Sequence, residues 1–105
     1  MYIKQLRWGG VSIDEFFKDE KVDFIKVDIE GAESQLVEGA AKIMARQTPL
    51  KMVLCTYHQH DDAEVLNKML TQSGFCTEFS KGYMLFFDKT FAPPYLRRGL
   101  IRAVK

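Results

Sequence analysis

The chain has 105 residues, of which 47% are hydrophobic and 28% are charged, a composition typical of one soluble globular domain. The formal net charge is +1, and this near balance argues against a basic nucleic-acid-binding surface. No apolar run approaches the roughly 20 residues that cross a bilayer, and no signal peptide is recognisable before Tyr2. We therefore expect a cytoplasmic protein with no nucleic-acid partner and no membrane span.

The two cysteines indicate a reducing compartment. Cys55 lies in an apolar stretch and Cys76 follows a phenylalanine. Their number and spacing fit neither a disulfide framework nor a set of paired metal ligands. We predict that both are buried free thiols.

The first predicted elements are short. Met1 to Trp8 alternates partly between apolar and polar residues, which predicts a weak strand. Ser12 followed three residues later by Glu15 is a capping-box pattern. The sequence therefore predicts a helix from Ile13 to about Glu20.

The run from Val22 to Ile29 is almost continuously apolar and rich in β-branched and aromatic residues, and Gly31 then opens a helical pattern. This pattern predicts a strand buried on both faces that leads directly into a helix, as in parallel α/β sheets. Ligands of such sheets bind outside the carboxyl ends of the strands. Asp28 and Glu30 are the residues that this strand brings to that position, on the same face if the strand continues through Glu30.

The following helix is predicted to run from Ala32 to about Gln47, where Pro49 stops it. Leu50 to Tyr57 then predicts a second buried strand, parallel to the first because a helix connects the two. The loop after it contains histidines and aspartates, residues 58–62. Asp61 or Asp62 is expected to cap the next helix, which ends at Gly74.

Two apolar runs, Phe75 to Ser80 and Tyr83 to Asp88, flank Lys81-Gly82 and predict a C-terminal antiparallel hairpin. We assign residues 1–90 to one domain. Residues 91–105 form a basic tail that leaves this domain through Pro93-Pro94 and has the composition of a short amphipathic helix.

The segment KVDIEGAE, from Lys26 to Glu33, resembles the FkbM-type family of S-adenosylmethionine-dependent methyltransferases. The helix with Leu36, Val37 and Gly39, the strand after Pro49, and the lead-in SIDEFF support this resemblance, which covers residues 11–87. The resemblance implies the distal half of a Rossmann-like class I methyltransferase sheet, ending in the antiparallel hairpin, with helices on the faces. The implied strand order is first, second, last, third.

The resemblance also implies a function, the transfer of a methyl group from S-adenosylmethionine to an oxygen of a small molecule or sugar. Family members begin with a glycine-rich turn for the methionine end of the cofactor and an acidic strand end for its ribose. The sequence shows neither feature, so we expect a C-terminal, substrate-side part that does not bind the cofactor well alone. The alternative is a non-catalytic fragment or interaction module with the same fold.

Asp28 and His58 are the candidate catalytic residues, because adjacent parallel strands end there and a histidine can act as general base near neutral pH. The resemblance suggests Glu30 and Gly31 as cofactor-binding residues. The structural alternatives are that Glu30 and Glu33 complement the positive end of the following helix, that Gly31 serves a tight turn, and that the loop histidine is merely solvated. Tyr57 is a third candidate near the reaction.

No metal ion is expected. The potential ligands His58, His60, Asp61 and Asp62 are ordinary loop residues, and no phosphate-binding constellation accompanies them. The strand from Val22 to Ile29 would leave an open edge if the sheet is incomplete. We therefore expect a homodimer through this edge or the apolar face beside it.

Overall fold

The computed structural model describes residues 12–86, 90 and 92–105, and within them helices and strands confirm the expected α/β class. The described helices are α1 (Ile13–Phe17), α2 (Glu33–Glu38), α3 (Ala41–Met44) and α4 (Asp62–Gln72). The described strands are β1 (Phe24–Val27), β2 (Lys51–Cys55), β3 (Cys76–Phe79), β4 (Met84–Leu85), β5 (Leu96–Arg97) and β6 (Leu100–Val104). The strand predicted at Met1 to Trp8 lies outside the described residues. None of the described helices is long and apolar enough to span a bilayer.

The larger sheet of the described chain is mixed and has the order β1-β2-β6-β3. β1 and β2 are parallel, as the helical connection between them predicted. β6 lies between β2 and β3 and is antiparallel to both. The predicted order of first, second, last and third strand is therefore found, but the last strand is β6 and not the predicted strand from Tyr83 to Asp88.

The predicted C-terminal hairpin is wrong. β3 pairs with β6, while β4 pairs with β5 in a separate two-stranded antiparallel sheet. Gly82 has a φ of +78°, so a tight turn does follow β3. The pairing of β3, however, continues at Ser80, whose N–H donates to the Leu100 carbonyl (3.0 Å) and whose hydroxyl accepts from the Leu100 N–H (3.1 Å). The partner of β3 thus comes from a segment 20 residues further along the chain.

The helix expected in the basic tail is also wrong, because this segment contains β6. Ile101 and Ala103 are buried, whereas Arg102 and Val104 are exposed. This alternation has the two-residue period of a strand that is covered on one face. The C-terminal segment therefore supplies a central strand of the sheet.

Burial also alternates in β1, where Ile25 and Val27 are buried but Phe24 and Lys26 are exposed. The prediction that this strand is buried on both faces is therefore wrong. The buried positions of neighbouring strands are in register, Ile25 beside Met52 and Val27 beside Leu54. They share one core with α1–α4, the core residues being Ile13, Ile25, Val27, Val37, Ala40, Ile43, Met44, Leu50, Met52, Leu54, Leu66, Leu70, Phe75, Ile101 and Ala103.

The opposite face of the sheet is open in the described part of the chain. Phe24 and Val104 are exposed there on either side of the exposed Lys51, and Val53 on the same face is half-buried. β1 is also an edge strand of this sheet. The homodimer through that edge stays a prediction.

The single helix predicted from Ala32 to Gln47 is instead two short helices, α2 and α3. Asp14 of α1 binds at the break: its backbone N–H donates to the Gly39 carbonyl (2.9 Å), and its carboxylate accepts from the N–H groups of Lys42 (2.9 Å) and Ile43 (3.0 Å). The N-cap residue of α3, Ala40, has no side-chain oxygen. Asp14 therefore satisfies the free amides at the start of α3 from a distant part of the chain.

Two local predictions are confirmed. The Ser12 hydroxyl accepts from the Glu15 N–H (3.1 Å) and the Glu15 carboxylate accepts from the Ser12 N–H (3.4 Å), so α1 begins with a capping box, although it ends at Phe17. Gly74 follows α4 with a φ of +90°, the left-handed conformation that commonly ends a helix.

Candidate active site

Asp28 and His58 lie next to each other at the carboxyl ends of β1 and β2. Asp28 directly follows β1, and His58 lies three residues beyond the last residue of β2. Because the two strands are parallel neighbours, both side chains reach the same edge of the sheet. The His58 Nε2 atom is 3.6 Å from the Asp28 Oδ1 atom. The structure thus brings together the two residues that the sequence analysis selected as catalytic candidates.

Glu33 completes this cluster from the interior. Its side chain is fully buried, with 0% of its surface exposed. One carboxylate oxygen, Oε1, is 2.7 Å from the His58 Nδ1 atom, and the other accepts a hydrogen bond of 2.9 Å from the Gly31 N–H. The side chains of the cluster therefore run from solvent to core, with 55% exposure for Asp28, 17% for His58 and none for Glu33.

This position of Glu33 was not predicted from the sequence, because the residue was assigned to the positive end of α2. The sequence nevertheless contains a pattern that indicates burial of Glu33. Glu33 lies four residues before Val37, which is buried in the core, and residues four apart share a helix face. A charged residue on the buried face of a helix requires a partner, and that partner is His58.

Glu30 and Gly31 do not continue the strand. β1 ends at Val27, and Glu30 and Gly31 have φ values of +52° and +99°. Asp28 and Glu30 therefore do not share a face in the way that a continued strand would require. A Cβ atom on Gly31 would lie 2.6 Å from the Gln59 side-chain nitrogen. The close approach at Gly31 is thus made by the loop after β2, and Glu30 is exposed to solvent beside it.

Asp62 adds a further buried carboxyl group below the loop. One of its oxygens accepts from the Gln59 N–H at 2.7 Å, which holds the start of α4 against that loop. Burial raises the pKa of Asp62, and the negative charge of Glu33 adds to this effect. The interior side of the site is therefore acidic.

Ligand atoms of Asp28, Glu33 and His58 all lie within 4.8 Å of one another, which is close enough for a metal ion. Both Glu33 oxygens already have hydrogen-bond partners, so an ion would compete with these contacts for the carboxylate. His60 and Asp61, the other potential ligands considered from the sequence, are exposed in the same loop and do not belong to this cluster. The absence of a metal ion stays a prediction.

Tyr57 and Cys55 border the site on the β2 side. The Tyr57 ring lies 4.2 Å from the His58 ring, centroid to centroid. Burial, followed by the neighbouring Cys55 and Asp28, raises the pKa of Tyr57. A raised pKa keeps the phenol protonated, which makes Tyr57 a poorer general base than a histidine.

Burial and then the charge of Asp28 raise the pKa of the Cys55 thiol to about 11. Cys76, in contrast, is exposed, so the prediction of two buried thiols is wrong for Cys76. At pH 8 a thiol with such a pKa is about 0.1% thiolate, the reactive form. We expect iodoacetamide to modify Cys76 at least about 100-fold faster than Cys55 in the folded protein, as measured by peptide mass spectrometry.

The control for this labelling is the protein in denaturing urea, where both thiols should react at similar rates. Equal rates in the folded protein would show that Cys55 is accessible and that the sheet edge beside Asp28 opens readily.

Arg97 anchors β5 to the candidate site. The guanidinium is almost completely buried and donates to the carbonyl oxygens of Tyr57 (2.9 Å) and His58 (3.3 Å). It also donates to the carbonyls of Pro94 (2.9 Å) and Ala92 (2.6 Å). From the sequence, Arg97 was expected in the basic tail, outside the domain. Its position instead ties the segment after β4 to the loop that carries the histidine.

The fold and the site together define a protein of the α/β class with a carboxylate–histidine–carboxylate cluster where two parallel strands end. Comparison with protein-family models identifies the family: the model of the methyltransferase FkbM domain matches residues 9–83. The chain therefore belongs to the FkbM methyltransferase domain family, which implies a methyltransferase of some kind. No curated protein and no solved structure matched the chain.

Proposed function

We propose that this chain is the acceptor-side part of an S-adenosylmethionine-dependent O-methyltransferase in which His58 is the general base. The family membership supports methyl transfer. The observation that carries the proposal is the position of the His58 Nε2 atom, 3.6 Å from Asp28 at the edge where two parallel strands end. A small molecule or sugar with a free hydroxyl group is the proposed acceptor.

The chemistry of the cluster suits removal of a proton from a hydroxyl group. When His58 takes up that proton, its ring becomes positively charged between the carboxylates of Asp28 and Glu33. Fixed negative groups stabilise such a charge as it develops, and they need little reorganisation in the transition state. The hydroxyl oxygen meanwhile gains the electron density that it needs to attack a methyl group.

S-adenosylmethionine, when bound, supplies an electrophilic methyl group on a positively charged sulfur. The exposed carboxylates of Asp28 and Glu30 fit a cationic cofactor, because each can attract its positive charge. We propose that Glu30 and Gly31 line the cofactor side of the site. Asp28 is then adjacent to both the cofactor and the base.

The remaining cofactor contacts must come from elsewhere, because the sequence contains no glycine-rich strand-to-helix turn. Two features of the described sheet support this view. One face of the sheet is open and carries Phe24 and Val104, and β1 is an edge strand. Sheets made only of parallel strands normally have both faces covered, and the parallel pair β1–β2 lies at this edge of the sheet. We propose that the sheet is the distal half of a Rossmann-like methyltransferase sheet and that further elements complete it.

The same observations favour a second candidate function, a non-catalytic module with a methyltransferase-like fold. Two clefts of about 310 Å³ each lie away from the cluster: Val37 and Met69 help line one, and Asp19 and Arg46 help line the other. Neither cleft contains Asp28 or His58. Cofactor binding distinguishes the two functions.

Calorimetric titration with S-adenosylmethionine and with its demethylated product tests the proposal. We expect the 105-residue chain to bind both ligands more weakly than the low-micromolar range, because it lacks the turn that holds the methionine end. The polypeptide that the genome encodes around these residues should bind both ligands in the low-micromolar range.

Each outcome of this titration decides between the alternatives. Low-micromolar binding by the 105 residues alone would contradict the idea that further elements are required. If neither polypeptide binds either ligand, the methyltransferase function is wrong for this protein and the non-catalytic module remains.

A further inference from the structure

We infer that Glu33 is a positioning residue that fixes the tautomer and the orientation of His58, so that Nε2 is the ring nitrogen free to act on an acceptor. A neutral imidazole carries its hydrogen on one nitrogen and a lone pair on the other, and only the nitrogen with the lone pair can accept a proton. The hydrogen bond made by one nitrogen determines the role of the other. The catalytic meaning of this inference rests on the proposed function, whereas the tautomer itself does not.

The contacts of the two Glu33 carboxylate oxygens define one pattern of hydrogen bonds. A carboxylate has only acceptor atoms, so the 2.7 Å contact between its Oε1 and the His58 Nδ1 places the hydrogen on Nδ1. The other oxygen, Oε2, accepts from the Gly31 N–H at 2.9 Å. Two anchored oxygens hold the carboxylate in a single rotamer, and a charged hydrogen bond of this length is among the stronger ones.

The burial of the Glu33 carboxylate in this pair is energetically costly. A fully buried carboxylate loses its hydration, which is strongly unfavourable unless hydrogen bonds replace the water. No Lys or Arg among the described residues forms an ion pair with Glu33, whose ion-pair partner is His58. The buried glutamate is therefore matched to one histidine, which is what a tautomer-fixing residue requires.

Other neighbouring groups also restrain the orientation of the His58 ring. Tyr57 lies against it with ring centroids 4.2 Å apart, and Arg97 donates to the His58 carbonyl oxygen at 3.3 Å. Asp28 from β1 faces Nε2, and Asp62 from α4 contributes a further carboxyl group near the loop. Because backbone, ring face and Nδ1 are all held, the direction of Nε2 is fixed toward the solvent-exposed side, where Asp28 lies.

The motif Gly31-Ala32-Glu33 explains how a short sequence produces this geometry. Gly31, with its φ of +99°, points its N–H at the carboxylate two residues later and lets Gln59 approach closely. Glu33 then starts α2 with its side chain turned toward His58 in the loop after β2. The same glycine thus orients the glutamate and brings the histidine loop near it.

Nitrogen-15 NMR of the histidine rings tests the inference on the 105-residue chain, without cofactor or acceptor. The chain has two histidines, and exposed His60 serves as an internal reference. At a pH where both rings are neutral, long-range proton–nitrogen correlations should show His58 in one tautomer with hydrogen on Nδ1. Glu33→Gln should convert His58 to a mixture of tautomers, because the amide can either accept from or donate to Nδ1.

The matched control is Glu38→Gln, which removes an exposed charge from the same helix and should leave the His58 spectrum unchanged. If Glu33→Gln does not fold, as judged by circular dichroism, the wild-type spectrum still decides. Hydrogen on Nε2 of wild-type His58, or a mixed population, would overturn the inference. In an active preparation, Glu33→Gln should also lower kcat about 100-fold or more with little change in KM. An unchanged kcat there would overturn the positioning role of Glu33 in catalysis.

This design separates the inference from the proposed function. The NMR result can fail while cofactor binding succeeds, which would leave a methyltransferase whose base is oriented in another way. Cofactor binding can fail while the tautomer is found as expected, which would leave the Glu33–His58 pair as a feature of a module without methyl transfer.

Discussion

Replacing His58 with glutamine should lower kcat for methyl transfer by about 10²-fold to 10⁴-fold, the range expected when a positioned general base is lost. Glutamine keeps a polar side chain of similar reach, but it cannot take a proton from a hydroxyl group near neutral pH. The His58 Nε2 atom lies 3.6 Å from Asp28 at the carboxyl ends of the parallel strands, where we propose that the methyl acceptor binds. The measurement is the rate at which the polypeptide that binds S-adenosylmethionine transfers labelled methyl groups from this cofactor to a hydroxyl acceptor.

The matched control is His60→Gln, an exposed histidine two residues later in the same loop, which should retain nearly full activity. Asp28→Asn should have a smaller effect, a loss of about tenfold or more, because Asp28 supports the charged ring and does not itself accept the proton in our proposal. Wild-type turnover by His58→Gln would remove His58 from the mechanism and leave Asp28 as the candidate base.

The pairing of Asp28 with His58 was predictable because it depends on local patterns and one general rule. Each of the two apolar runs is short and bounded, a helix lies between them, and such units form adjacent parallel strands. Residues that follow adjacent parallel strands must meet at one edge. The rule needs no knowledge of side-chain rotamers, so it worked from sequence alone.

The partner of the histidine was not predictable by the same reasoning. Glu33 was assigned to the positive end of α2 by its charge, and its spacing of four residues from the buried Val37 was not used. The break between α2 and α3 was not predicted either, for a related reason. It depends on Asp14, which lies 28 residues before Lys42, and no local pattern reports a contact at that separation.

The C-terminal strand was not predicted because its local sequence pattern fits two structures. Residues 96–104 contain apolar residues at spacings that suit a helical face as well as a strand that is covered on one side. The strand form is favoured by β2 and β3, because a strand between them can form hydrogen-bond ladders with both. β6 takes this position and places Ile101 beside Leu54 and Phe79.

Shortening the Ile101 side chain to alanine should therefore destabilise the fold by about 2–5 kcal/mol, the usual cost of truncating a large buried aliphatic residue. Ile101 is completely buried, at 0% exposure, in the strand that joins β2 to β3. A domain of this size is stable by only about 5–15 kcal/mol, so the loss is a large fraction of the total. Urea denaturation followed by circular dichroism measures the change in the free energy of unfolding.

Val104→Ala is the matched control, because Val104 lies in the same strand but is 49% exposed on the open face of the described sheet. It should change the free energy of unfolding by less than about 1 kcal/mol.

Deleting residues 99–105 removes the backbone ladders to both β2 and β3 and should abolish cooperative unfolding altogether. If Ile101→Ala and Val104→Ala cost the same, or if the deleted chain still unfolds cooperatively, then the C-terminal segment is not the central strand in solution. The loop held by Arg97 would then lose the support that this strand gives to the residues just before it, and the geometry of the His58 site would have to be assigned to other contacts.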